Sequence, residues 1–367
     1  MTPKMAASFI GGIIISAVAL YFALRNVPLT ELFRYLVSIN YFWVIPAVFI
    51  ALISFVLRAL RWRIILESSR KIGVWRAYHP MMIGFMINCV LPGRLGEVAR
   101  PVILQKEEKI PFATGLATVV AERVFDLCIL LLLFMLTVGT LQIDPDQQVT
   151  FGSYQLNLET LQMVFSGLLK LGALLVLGIA LFSIGRFRKL IYNLILSIPN
   201  LFFFAGESFK LSFRTKICER VIGILKNIAT GLTLVRNPKK LAYCAILSVI
   251  IWALGALSYY LFSFGSPGVN LSYLEMTTVM VIVCFFISLP SAPGFWGLWE
   301  AGGVFALSLF GITAKEAAGF TLANHAIQVL PVIIAGFVSA MLLSVNIRQM
   351  SYQGKEYHDR QPSIKIE

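Results

Sequence analysis

Three charged side chains, Arg94, Glu97 and Arg100, stand in the stretch Leu91-Pro92-Gly93-Arg94-Leu95-Gly96-Glu97-Val98-Ala99-Arg100, directly after the apolar run Met81 to Leu91. Proline removes a backbone donor and glycine takes dihedrals that other residues avoid, so a helix should break at Pro92 and Gly93 and restart at Gly96. A charge deep in a bilayer costs about 2.5–3.5 kcal/mol even on lenient insertion scales. Irregular backbone at that depth needs protein or water around it. The restarted helix presents unpaired N–H groups and a partial positive charge. Arg94 and Arg100 beside it would add guanidinium forks, which hold phosphate through charge-assisted bonds of about 1.5–3 kcal/mol each. The chemistry on offer is capture of an anion, with Glu97 close enough in sequence to pair with an arginine when no anion is bound. The alternative is an ordinary cytoplasmic loop between two helices.

The chain makes a similar break again, at Leu289-Pro290-Ser291-Ala292-Pro293-Gly294-Phe295-Trp296-Gly297-Leu298-Trp299-Glu300. Pro92, Gly93 and Gly96 correspond to Pro293, Gly294 and Gly297, and Glu97 to Glu300 after extra residues. Beyond each break lies a long apolar stretch with polar groups inside it: Glu122, Arg123 and Asp126 in the first, Asn324, His325 and Gln328 in the second. Arg123 and Asp126 share one helical face at their spacing. The expected substrate contacts are Arg94, Glu97, Arg100, Glu122, Arg123, Asp126, Glu300 and His325. Against this stands the possibility that the charges only pair with one another inside a bundle. No catalytic residue, metal or cofactor is expected. The five cysteines lie singly and His79, His325 and His358 are far apart, so neither set has ligand or redox spacing.

The elements that must position these groups are membrane helices. The chain is 58% hydrophobic and 13% charged, about half the charge of a soluble domain. Its net charge of +13 is concentrated in certain segments, a topological signal rather than a nucleic-acid one. Met5 to Leu24 is long enough to be a retained first span. Tyr41 to Leu57 is the second, running into a basic loop from Arg58 to Arg76 that should face the cytoplasm. Ala77 to Leu91 is short for a crossing; Phe112 to Leu141 is a long span. Gln142 to Thr160 carries acids but no Lys or Arg and belongs outside. Leu161 to Ile184 crosses back. Residues 185–240 interleave basic and apolar residues, as amphipathic helices on anionic headgroups do. Leu241 to Phe264 and Ala317 to Val345 are the remaining long spans, and residues 346–367 read as a disordered cytoplasmic tail.

Counting sides from these loops makes residues 77–104 a re-entrant hairpin entering from inside, and residues 274–312 one entering from outside. The fold class is therefore an all-α polytopic membrane protein, with about six spanning helices plus two re-entrant broken-helix hairpins in an inverted-topology repeat. The repeat halves are residues 41–184 and 241–345 of one membrane domain, 1–345. A competing arrangement makes each hairpin half a complete span, about ten crossings in all.

Arg58-Ala59-Leu60-Arg61-Trp62, Pro92-Gly93-Arg94-Leu95-Gly96-Glu97, Glu122-Arg123-Val124-Phe125-Asp126 and Pro293-Gly294 with Glu300 resemble the flippase-like membrane domain of bacterial lysyl-phosphatidylglycerol synthases. The resemblance covers nearly the whole chain. It implies a protein of a bacterial or archaeal cytoplasmic membrane that moves or binds an anionic phospholipid or a polyprenyl-linked sugar phosphate; the loop charges place both termini inside and give no nucleic-acid signal. Bifunctional members carry a soluble aminoacyl-transfer domain after the membrane part; here 22 residues follow Val345, so lysyl transfer is not expected. Besides a flippase, two classes remain open: an accessory subunit of a glycolipid or cell-envelope pathway, and an enzyme on lipid phosphates, for which no nucleophile–base pair is visible.

Overall fold

The computed structural model describes residues 3–25, 27–67, 69–91, 94–138, 149–151, 154–156, 166–167, 170, 173–174, 177–178, 181–182, 184–202, 206–231, 237–289 and 291–343. Helix α1 (Pro3–Leu24) meets α2 (Leu29–Ser38) at 79°. There follow α3 (Val44–Leu66), α4 (Val74–Val90), α5 (Gly96–Glu108) and α6 (Phe112–Val138). A hairpin of two three-residue strands, β1 (Val149–Phe151) and β2 (Tyr154–Leu156), is the sheet structure among the described residues. Then come α7 (Gly185–Ser197), α8 (Glu207–Phe213), α9 (Glu219–Gly231), α10 (Pro238–Ser263), α11 (Tyr273–Ser288), α12 (Leu298–Ser308) and α13 (Ala314–Leu342). The protein is an all-α polytopic membrane protein.

Among the described residues three helices are long and apolar enough to cross a bilayer: Tyr41–Leu66, Pro238–Ser263 and Ala314–Leu342. Helix α6 matches them in length at 27 residues but carries Glu122, Arg123 and Asp126. Capping sets several of the starts. Ser272 with Glu275, and Thr313 with Glu316, form reciprocal capping boxes at α11 and α13. Asn237 accepts from the Lys240 N–H at α10, where Pro238 occupies the first turn.

The expected second span ends at Leu57, but α3 continues to Leu66. Arg58, Arg61 and Trp62 therefore lie on a helix and not in a basic loop; Arg61 and Trp62 are fully buried. The reason is that carboxylates on α6, with Ser248 and Trp252 on α10, give the arginines partners. Pro331 sits inside α13 without ending it. The charged stretch Gln105 to Glu108 extends α5; Glu108 is buried, pairs with Arg76 at 3.5 Å, and accepts a hydrogen bond from Arg70 on its carbonyl. The acidic segment at Gln142 to Thr160, the span at Leu161 to Ile184, the tail, and Pro92 and Gly93 lie wholly or mostly outside the described residues. In the basic segment, α7 has no buried side chain and exposes Leu190 and Leu194, while α9 packs along α6 with Ile222 buried.

Packing groups the helices around the breaks into two corresponding sets, α3 to α6 and α10 to α13. Helix α3 lies against α10, α4 against α13 and α6 against α11, so each set is knitted into the other. Within each set a short helix folds back onto its own hairpin partner: α5 onto α4, α12 onto α11. The first fold-back brings backbones into direct approach, because a Cβ on Gly96 would stand 1.8 Å from the Gly84 carbonyl oxygen. Only glycine fits there. A large apolar core including Phe134, Tyr259, Phe262, Met280, Phe305 and Phe320 joins the two sets, and a second one holds Trp62, Leu66, Met81, Met82, Leu104 and Val332.

Candidate functional site

The buried charges converge from three helices, α3, α5 and α6, and α10 adds polar partners. Glu122 and Asp126 stand one turn apart on α6, so both carboxylates point the same way. Arg61 of α3 reaches Asp126 Oδ1 at 2.8 Å and Glu122 Oε1 at 3.6 Å, and donates to Ser248 Oγ of α10 at 2.7 Å. Arg100 of α5 binds Glu122 Oε2 at 2.6 Å and lies over the Trp62 ring at 4.0 Å. Arg123 meets Glu122 at 3.1 Å, Asp126 at 3.4 Å and Glu97 at 3.9 Å. Arg58 approaches Asp126 at 3.7 Å and stacks over Trp252, whose Nε1 donates to Asp126 at 3.3 Å.

Four guanidinium groups (Arg58, Arg61, Arg100, Arg123) thus surround three carboxylates (Glu97, Glu122, Asp126), leaving one positive charge in excess. Arg61, Arg100 and Glu122 are fully buried and hold the network rigid, whereas Arg123, 37% exposed, and Arg58, 14%, keep faces toward the outside of the cluster. Buried ion pairs of this kind are about break-even in sum, but removing one member costs about 3–5 kcal/mol because the survivors lose compensation.

At the first break Arg94 has φ +54°, a strained backbone for a residue with a side chain. Its guanidinium does not pair with Glu97. It crosses to the second hairpin and donates to the Ile287 carbonyl at 2.6 Å, remains exposed, and has no carboxylate within ion-pair distance among the described residues. Glu97 pairs with Arg123 instead. The first free N–H of α5, at Gly96, is capped by the Asn88 side chain at 2.7 Å.

The second break repeats this backbone with other chemistry. Phe295, which corresponds to Arg94, has φ +65°. The N–H of Gly297 is capped by Glu300 Oε2 at 2.7 Å. Among the described residues Glu300 pairs with no arginine; its other oxygen lies 2.6 Å from His325 Nδ1, and His325 Nε2 lies 2.7 Å from the Gly294 carbonyl. Trp299 stacks on the imidazole at 4.6 Å and 2°, and Trp296 covers it at 4.5 Å. The breaks also touch each other: a Cβ on Gly294 would meet the Cys89 carbonyl at 3.1 Å.

The expected residues therefore fall into three places. Glu97, Arg100, Glu122, Arg123 and Asp126 form one cluster, Arg94 stands apart on Ile287, and Glu300 with His325 form a separate pair. Arg58 and Arg61 are the members that sequence reasoning assigned to a loop. Their spacing on one helical face, i and i+3, was the available signal.

The family described as the lysylphosphatidylglycerol synthase transmembrane region matches residues 9–336. The chain is 24% identical over 384 residues to Glycosyltransferase AglD of Haloferax volcanii, covering 97% of this chain and 58% of that protein. It thus spans little more than half the length of that relative. It is 22% identical to the UPF0104 membrane protein MJ1595 of Methanocaldococcus jannaschii, over 91% of this chain and 95% of the relative. No solved structure matches.

Proposed function

Because the chain belongs to the family of the lysylphosphatidylglycerol synthase transmembrane region, we propose that it carries an anionic lipid headgroup, a phospholipid or a polyprenyl-linked sugar phosphate, past the junction of its two broken hairpins. In this reading both hairpins are re-entrant from opposite faces of a cytoplasmic membrane, the N- and C-termini lie inside, and the protein is a carrier rather than an enzyme. The observation that supports it is the single excess positive charge of the arginine–carboxylate cluster beside that junction. A phosphodiester brings one negative charge and a pair of non-bridging oxygens that a guanidinium fork matches. Arg94, exposed and bonded among the described residues to a carbonyl, is the first contact; Arg123 and Arg58 are the partly open faces behind it. Arg61 and Arg100, locked on Glu122 and Asp126, keep those faces in position.

The test is transfer of labelled anionic lipid across liposomes containing the protein. Arg94→Lys keeps the charge but loses the fork and should slow transfer about tenfold, the scale of one charge-assisted bond. Arg94→Ala should slow it further while the protein still inserts. Parent-like transfer by Arg94→Ala would remove Arg94 from the path. The relative named a glycosyltransferase favours one second reading, an accessory role in a glycolipid pathway. That role predicts no transfer by the parent protein alone.

A further inference from the structure

The His325–Glu300 pair contains more acceptors than a neutral histidine has donors. His325 Nε2 faces the Gly294 carbonyl at 2.7 Å, which has no hydrogen to give, so Nε2 carries one. His325 Nδ1 faces Glu300 Oε1 at 2.6 Å, so a second hydrogen lies between them, whether the state is written imidazolium–carboxylate or imidazole–carboxylic acid. Take that second proton away and the ring has one N–H for two acceptors. Either Nδ1 then turns a lone pair on the carboxylate or Nε2 turns one on the carbonyl. One of the two bonds must break.

Those bonds join α13 to the second break. Gly294 is at its tip, where it lies against the Cys89 carbonyl of the first hairpin, and Glu300 also caps Gly297, whose φ is +85°. We infer that His325 and Glu300 form a proton-binding site that latches the second hairpin: with the shared proton the tip is held, without it the tip is released. The site is fully buried and roofed by Trp296 and Trp299. A polar face of α13, Thr321, Asn324, His325 and Gln328, runs past it. Thr321 Oγ1, Asn324 Oδ1 and Trp299 Nε1 are buried without a partner among the described residues, the polarity that ordered water on a proton's route requires.

The neighbouring groups do not supply this switch. Tyr259 of α10, Cys284 of α11, Cys89 of α4 and Tyr35 of α2 face the site or its helix, and such groups ordinarily titrate above about pH 8. His79 of α4 sits against Ser339, several turns along α13, and Lys315 and Glu316 lie at that helix's start. Fixed charges on neighbouring elements are Arg94 on Ile287 and, around Cys284, Arg58 and Asp126.

The latch depends on the lipid-carrier reading only for its purpose, and its test contains no lipid transfer. Amide hydrogen exchange of the segment around Gly294 to Gly297 is measured in the full chain in nanodiscs between about pH 5 and 8, after correction for intrinsic rates. In the parent, exchange should become about tenfold faster toward the upper end, the change expected on losing one charge-assisted bond. Glu300→Gln satisfies every bond without the extra proton, since its amide donates to Nδ1 and its oxygen still accepts from Gly297. It should exchange slowly at every pH. His325→Ala should exchange fast at every pH. A parent with no pH dependence, or a Glu300→Gln variant that follows the parent, overturns the latch. The parent and Glu300→Gln decide the question even if His325→Ala fails to accumulate.

Discussion

At the residue scale, burial separates charges that the sequence presents alike. Glu97 and Glu122 both contact Arg123, yet Glu97 is 30% exposed at 3.9 Å while Glu122 is fully buried between three guanidinium groups. Glu122→Ala leaves those cations facing one another and should cost about 3–5 kcal/mol, read as a large fall in thermal stability in detergent or a failure to accumulate. Glu97→Ala should cost no more than about 1 kcal/mol, the range of an exposed pair. Equal losses would mean that the cluster is not the rigid frame described. The candidate residues Glu122, Arg123 and Asp126 were legible because charges inside an apolar run need partners. Which partners they find was not. Arg61 lies 61 residues before Glu122 and Ser248 lies 187 residues after Arg61, and local spacing carries no information about such pairings. The basic run at Arg58 to Arg63 also has the composition of a topological stop, which masks its burial.

At the element scale, the breaks were the most legible feature, because proline and glycine act through their own backbone. Gly96 shows how strictly. Its α-carbon approaches the Gly84 carbonyl so closely that Gly96→Ala must part α4 from α5. That variant should lose stability by several kcal/mol, at the upper end of single substitutions. Gly223→Ala on α9, where an added Cβ meets nothing within 4 Å, should be neutral or stabilising by up to about 1 kcal/mol through helix propensity. Thermal unfolding of the two variants side by side tests this, and a stable Gly96→Ala protein would contradict the close crossing. Helix ends were less legible. The continuation of α3 past Leu57 depends on neighbours that override local propensity, whereas α13 runs through Pro331 as the span from Ala317 to Val345 requires.

At the scale of the whole molecule, the two four-helix sets keep one backbone plan while their chemistry has diverged. Arg94 and Phe295 share a left-handed backbone at corresponding positions, yet one is a cation over the junction and the other an apolar residue beside a histidine–glutamate pair. If the hairpins are re-entrant from opposite faces, single cysteines at Lys71 and Lys106 in a cysteine-free background should be labelled from the same side of the membrane, and one at Asn270 from the other. Opposite labelling of Lys71 and Lys106 would make the first hairpin a pair of full crossings. The charge cluster has a further consequence, for synthesis. Arg58 and Arg61 leave the ribosome before Glu122 and Asp126 exist, and Ser248 and Trp252 emerge later still. At the translocon α3 carries uncompensated cations that lipid receives poorly. It must linger there, or be shielded by an insertase, until α6 arrives, so the order in which helices enter the bilayer is written into the pairing of their charges.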